Sequence, residues 1–213
     1  MSQLKLTADG GGGTVAIKGP ASTTGNAAIE LTVPGTSNAT LLTSATSTGK
    51  VLQVVQTVKK DVFSTTVTPG TISGDITGLT LSITPSSASN KILIDCHVNG
   101  GFIGSTGMYA YLYKNGSVLT DAIGDTASGT IVRASFQSQG GTLLDLEDVH
   151  GQFLDTAGGT SAITYSLRIQ HPYTESSFAG TLYINRTGDS DEVKTNYVFP
   201  RTISTITAME IAA

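Results

Sequence analysis

Alternation with a period of two runs through this chain, and no helical period competes with it. Leu79-Thr80-Leu81-Ser82-Ile83 places every second residue on one side, and Ile163/Tyr165/Leu167/Ile169 stand against Thr164/Ser166/Arg168/Gln170. Successive strand side chains point to opposite faces, so such stretches offer one face to a core. Further β-rich runs occur at Val51–Val58, Asp61–Val67, Lys91–Val98, Met108–Tyr113, Ser117–Thr120, Thr130–Gln137, Thr142–Leu146, Thr181–Arg186 and Ile203–Ile211. The breaks between them are turn chemistry: Pro69-Gly70, Pro85–Asn90, Asn99-Gly100-Gly101, Lys114-Asn115-Gly116 and Gln139-Gly140-Gly141. Asn-Gly is the strongest of these, because a type I′ hairpin turn needs positive φ at both central residues. Ten or so short strands after residue 50 predict an all-β fold, a jelly-roll-like antiparallel sandwich.

Composition agrees. The 33 Thr favour pleated surfaces, while the 22 Ser and 25 Gly favour turns. A mean hydropathy of +0.09 argues against a disordered chain. Residues 50–213 are long enough to bury an independent core.

Residues 1–48 differ. Three short pieces, Gln3–Thr7, Thr14–Lys18 and Ala28–Val33, are separated by Gly- and Pro-rich connections and hold few large apolar residues. This N-terminal arm is expected to order by pairing with other copies or a docking partner, or else to serve as a flexible linker.

Charge excludes several partners. Only 13 % of residues are charged and the net charge is −4, with no basic stripe. Nucleic acid and polyanionic membrane surfaces are therefore not expected partners. No apolar run reaches the roughly 20 residues of a membrane span, and MSQLKLTADG has no secretory apolar core, so synthesis in a cytoplasm is expected. Asn38, Asn115 and Asn185 match the N-x-S/T pattern, read as incidental to a Ser/Thr-rich composition.

Catalytic chemistry is scarce, and no enzyme is expected. Asp95-Cys96-His97 brings a thiol beside an imidazole, but on a strand they face opposite ways, so Cys96 reads as a buried apolar residue. His150 and His171 lack zinc-ligand spacing, and Gly10–Gly13 lacks the following Lys-Ser/Thr of a phosphate loop. Gly188-Asp189-Ser190-Asp191-Glu192 lacks an EF-hand frame and reads as a solvated loop. Asp145, Glu147 and Asp148 offer carboxylates, yet no second motif marks a glycosidase. No cofactor or metal is expected. The stretch that stands out is Met108–Tyr113, with Tyr109, Tyr111 and Tyr113 on one face and Met108, Ala110 and Leu112 on the other. A strand apolar on both faces predicts core, a subunit contact or a platform on which sugars stack.

The motifs SNKILI (Ser89–Ile94), LYKNGSVL (Leu112–Leu119), Phe153–Ile169, GTLYINRTG (Gly180–Gly188) and STITAMEI (Ser204–Ile211) resemble the distal domain of bacteriophage tail-fibre and appendage proteins. The N-terminal stretch from Leu4 to Gly35 resembles the N-terminal segments of similar proteins. The resemblance implies a virion component, a homotrimer with a jelly-roll-like head on a thin arm, and no catalytic residues. It has no long shaft, coiled coil or repeat array, which keeps a short capsid or tail appendage open. Three functions follow as expectations: a trimeric virion appendage that binds host surface glycans, a capsid decoration protein with no receptor role, and a free carbohydrate-binding module or small hydrolase. In the first, residues 1–48 join other virion proteins, and ligand-binding loops are expected at Gly100–Gly107 and Gly188–Lys194.

Overall fold

The computed structural model describes residues 3–7, 14–18, 50–103, 107–125, 132–139, 145–171, 180–188 and 199–213. The chain divides into two compact units, Met1–Thr46 and Ser47–Ala213. In the first, β1 (Gln3–Thr7) and β2 (Thr14–Lys18) pair antiparallel, with Leu4 opposite Ile17 and Leu6 opposite Val15. The expected piece Ala28–Val33 lies outside the described residues.

The second unit is an all-β sandwich of two antiparallel sheets. Its strands are β3 (Val51–Lys59), β4 (Phe63–Val67), β5 (Thr80–Ile83), β6 (Lys91–Ile103), β7 (Gly107–Lys114), β8 (Ser117–Val118), β9 (Phe136–Gln139), β10 (Glu147–Thr156), β11 (Ile163–Gln170), β12 (Gly180–Ile184) and β13 (Ser204–Ile211). In sheet one, β6 is long enough to hold two strands end to end along one edge. β13 pairs with its Lys91–His97 half and β12 with its Gly100–Ile103 half, while β10 takes the other edge. Beyond β13 and β12 lie β3 and β4, again end to end. Sheet two runs β5, β11, β7, with β8 and β9 sharing the far edge of β7.

The apolar sides of the alternating strands meet between the sheets. Ile92, Ile94, Cys96 and Val98 of β6 join Leu182, Ile184, Ile206 and Ala208 from the neighbouring strands. Met108, Ala110 and Leu112 of β7, with Ile163, Tyr165, Leu167 and Ile169 of β11, face them from sheet two. The hairpin between β7 and β8 turns at Asn115 (φ 51°) and Gly116 (φ 80°), both in the left-handed region a type I′ turn requires.

One expected turn is corrected. Asn99-Gly100-Gly101 does not end a strand, because β6 continues through it to Ile103. These glycines serve close approach: a Cβ on Gly101 would lie 2.5 Å from the Arg186 carbonyl oxygen, and one on Gly100 would lie 2.8 Å from Met108 Cε. Of the hairpin expected between Thr130–Gln137 and Thr142–Leu146, residues 130–131 and 140–144 lie outside the described residues. The strand there is Phe136–Gln139, paired with β7 through Met108 opposite Ser138, and Asp145 and Leu146 precede β10.

Where β12 gives way to β13, one buried side chain ties four segments together. Asn185 sits at φ 65°, a conformation Asn tolerates better than most residues. Its backbone N–H donates to the Asn99 carbonyl at 2.8 Å. Its Nδ2 donates to the carbonyls of Lys59 at 3.0 Å and Asp61 at 2.9 Å, bridging the break between β3 and β4. Its Oδ1 accepts from Ser204 Oγ at 2.6 Å, at the start of β13.

A second buried polar hub closes the other end. Glu210 accepts from Gln53 Nε2 (2.6 Å), Asn90 Nδ2 (2.6 Å), and both the N–H (2.7 Å) and Oγ (2.8 Å) of Ser86. Burial alone would raise its carboxyl, but these hydrogen bonds outweigh it and hold the group at about 2, below its ordinary 4.5. Because the folded value is the lower one, the stabilisation is full above 4.5 and is lost as pH falls toward 2. Thermal midpoints should therefore drop across that interval. Glu210→Gln should be less stable at pH 7 and show a shallower acid fall, and an unchanged acid profile would refute the assignment.

Candidate functional site

The tyrosine strand is the natural place to begin. β7 is central in sheet two, so Met108 and Leu112 point inward and are fully buried. Core packing accounts for them without a partner subunit. On the outer face, Tyr111 and Tyr113 are also covered within the chain. Tyr111 stands across from Arg168 on β11, and its hydroxyl donates to Gln170 Oε1. Burial, then the neighbouring Tyr109 and Tyr113, push its hydroxyl up to about 12. The Arg168 guanidinium lies 3.9 Å over the Tyr113 ring and is anchored by Asp75 at 2.6 Å. Neither ring offers a free sugar-stacking face. Tyr109 differs: it is half-buried and borders a cleft of about 370 Å³.

That cleft lies at the edge of sheet two, between Gly124–Asp125 and Val132–Gln137. Arg133 Nε donates to the Gly124 carbonyl at 2.7 Å, and the Gly124 N–H donates to the Ala134 carbonyl at 3.2 Å, so the two walls are stitched together. Ser135 ties them to β7, its N–H donating to the Ala110 carbonyl and its Oγ accepting from the Leu112 N–H, each at 3.0 Å. Phe136 lies flat on Gly151 of β10, where a Cβ would fall 1.9 Å from Phe136 Cδ1. Sequence reasoning singled out Tyr109 but missed Asp125, Arg133, Phe136 and Gln137. These form no local motif: the pairing of β7 with β9 sets Gln137 opposite Tyr109 and Phe136 opposite Ala110 on the core side, while Asp125 and Arg133 come from the segments flanking the cleft.

The outer face of sheet one carries a second unforeseen feature. Val54 pairs with Met209, Met209 with Leu93, and Leu93 with Leu154. These four apolar residues form one row across the whole sheet, and Val54 (57 % exposed) and Leu154 (51 %) are bare. One adjoining row, Gln56–Thr207–Asp95–Gln152, is polar, and the other mixes Val51 and Ile211 with Lys91 and Thr156. His97 Nε2 meets Asp148 Oδ1 at 2.9 Å, and His150 Nε2 meets Asp95 Oδ2 at 3.4 Å.

The catalytic candidates resolve individually. Cys96 is buried on the inner face and His97 is on the outer one; burial, then the Asp95 charge, push the thiol up to about 12, which disables it as a nucleophile. Asp148 is engaged by His97, and the nearby Asp145 is exposed. Among the described residues no three His, Cys, Asp or Glu converge as a metal requires, and no helix is long and apolar enough to cross a membrane. Of the loops expected to bind a ligand, Gly100–Ile103 belongs to β6 and Gly107 to β7. Residues 104–106 and the acidic loop from Asp189 to Lys194 lie outside the described residues.

Neither a protein-family model nor a curated protein matches the chain.

Proposed function

We propose that this chain is a trimeric structural appendage of a bacteriophage particle. Residues 1–48 act as the attachment arm, and residues 50–213 form an outward head that engages host surface glycans. The observation that carries the reading is the Val54–Met209–Leu93–Leu154 row. A folded chain leaves such an ordered apolar row in water at a cost, and burial against another copy removes it. The carboxylates near the row are already held by His97, His150 and Gln152, which favours a like surface over a strongly charged partner. The strand order adds support. The orders β3/β4, β12/β13, β6, β10 in one sheet and β5, β11, β7, β8/β9 in the other are compatible with a jelly roll, an architecture common in viral capsid and lectin domains. The assembly contact thus moves from the tyrosine strand to the opposite sheet.

Sedimentation equilibrium at micromolar concentration should give three times the chain mass of 21.9 kDa. Mass spectrometry of purified particles carrying the gene should find the chain among their proteins. A single-chain mass together with absence from particles would overturn the reading. Presence at capsid copy number, without effect on host adsorption, would point to decoration alone.

A further inference from the structure

We propose that copies of this chain join edge to edge, β10 of one copy pairing antiparallel with β3 of the next, so that sheet one continues across each junction. This rests on reading the chain as a trimer that assembles through sheet one, and it names the strands that meet and their register.

The first observation is that both strands are long and unguarded edges. Among the described residues β3 has one ladder partner, β13, and β10 has one, β6. Single-chain proteins blunt such edges with proline, charge or shortness, because a bare row of N–H and C=O groups recruits another strand. β3 has nine residues, with neither proline nor charge from Val51 to Val58, and Leu52, Val54 and Val58 are exposed along it. β10 has ten residues and no proline, and its charges, Glu147, Asp148 and Asp155, lie toward its two ends. Side chains hold β3 in place: Gln53 Nε2 donates to the Thr84 carbonyl at 2.7 Å and Thr57 Oγ1 to the Thr80 carbonyl at 3.0 Å.

Direction and register agree as well. β10 and β13 both run antiparallel to β6, and β3 runs antiparallel to β13, so β10 and β3 point opposite ways. A rotation axis along the strands preserves these directions, so β10 of one copy and β3 of the next meet as an antiparallel pair. The apolar row sets the level. It ends at Val54 on one edge and at Leu154 on the other, so rotation without a shift brings Leu154 beside Val54 of the next copy. Gln152 then faces Gln56, and His150 faces Val58, with no like charges opposed. A slip of two residues either way would set Gln152 against Val54 or Val58. Three such junctions close a ring in which neither β3 nor β10 keeps a bare edge, and the joined rows turn toward the axis and out of water.

The test uses the full chain carrying Val54→Cys and Leu154→Cys together. Both side chains are more than half exposed, so the fold should tolerate the changes, with circular dichroism as the check, and the native Cys96 is buried away from them. Directly opposed Cβ atoms of an antiparallel pair lie about 4.5–5.5 Å apart, close to the span of a disulfide. Mild oxidation should turn most of the protein into a covalent three-chain species on a non-reducing gel. Val54→Cys alone and Leu154→Cys alone should stay single chains there, because each introduced thiol meets an unsubstituted residue of the next copy. Val54→Cys with His150→Cys is out of register and should link at least about tenfold more slowly. If the oxidised double variant stays unlinked while its reduced form sediments at three times the chain mass, the copies meet elsewhere; the pairing is then wrong and the trimer reading stands. Linking by Leu154→Cys alone would show a symmetric contact, and equal linking by the out-of-register pair would show another register; either overturns the assignment. If the unsubstituted chain sediments as a single chain, the pairing and the trimer fail together.

Discussion

Asn185→Ala is expected to remove a large share of the stability of the head domain. The substitution removes two donations, to the carbonyls of Lys59 and Asp61, and one acceptance from Ser204 Oγ, all around a fully buried residue. A buried partner left unsatisfied costs about 1–3 kcal/mol, so the three together reach about 3–6 kcal/mol if only partly additive. Alanine also resists the left-handed backbone at this position. Domains of this kind hold only about 5–15 kcal/mol in total. Asn185→Gly separates the contributions, because glycine accepts the backbone but restores none of the bonds. It should be nearly as unstable as the alanine variant. Urea unfolding followed by circular dichroism reads both, and a loss under about 1 kcal/mol for Asn185→Ala would show that the junction of β3, β4, β12 and β13 does not depend on this side chain.

The same chemical change at two leucines should have opposite consequences. Leu112 is fully buried, so Leu112→Glu places a carboxyl in the core with nothing to pair it, and the protein should not fold. Leu154 is 51 % exposed at the end of the apolar row. Leu154→Glu should leave the melting curve of the single chain almost unchanged but turn three-chain particles into single chains, because three introduced charges then crowd an apolar contact. Sedimentation equilibrium and thermal unfolding at low protein concentration distinguish the two outcomes. A trimer that survives Leu154→Glu would mean that sheet one is not the assembly face.

What was readable beforehand and what was not divide along physical lines. Alternation is a local property, so the strands at 80–83, 91–98 and 163–170, the Asn115-Gly116 turn, and the opposed faces of Cys96 and His97 were all legible. Gly100 and Gly101 misled because a glycine pair looks the same whether it turns the chain or admits a neighbour's backbone. The neighbour is the segment Arg186–Gly188, far along the chain. Tyr111 and Tyr113 looked available because their covers, Gln170, Arg168 and Asp75, come from a different strand and an irregular edge. The row Val54–Met209–Leu93–Leu154 was invisible for the strongest reason. Each member alternates like any strand residue, and only the register of three separate pairings sets them side by side.

The place of β13 has a consequence for how the protein is made. β13 lies between β3, the first strand of the head, and β6, so the sheet keeps an open slot until Ser204–Ile211 leaves the ribosome. Until then β3 lacks its one ladder partner among the described residues, and the row Val54–Met209–Leu93–Leu154 lacks Met209. On the assembly proposed above, copies on neighbouring ribosomes are then expected not to join before Ser204–Ile211 is made. A polypeptide stopped at residue 200 should be single and quickly degraded by protease, whereas one carried through Ile211 should associate within the time its own folding takes.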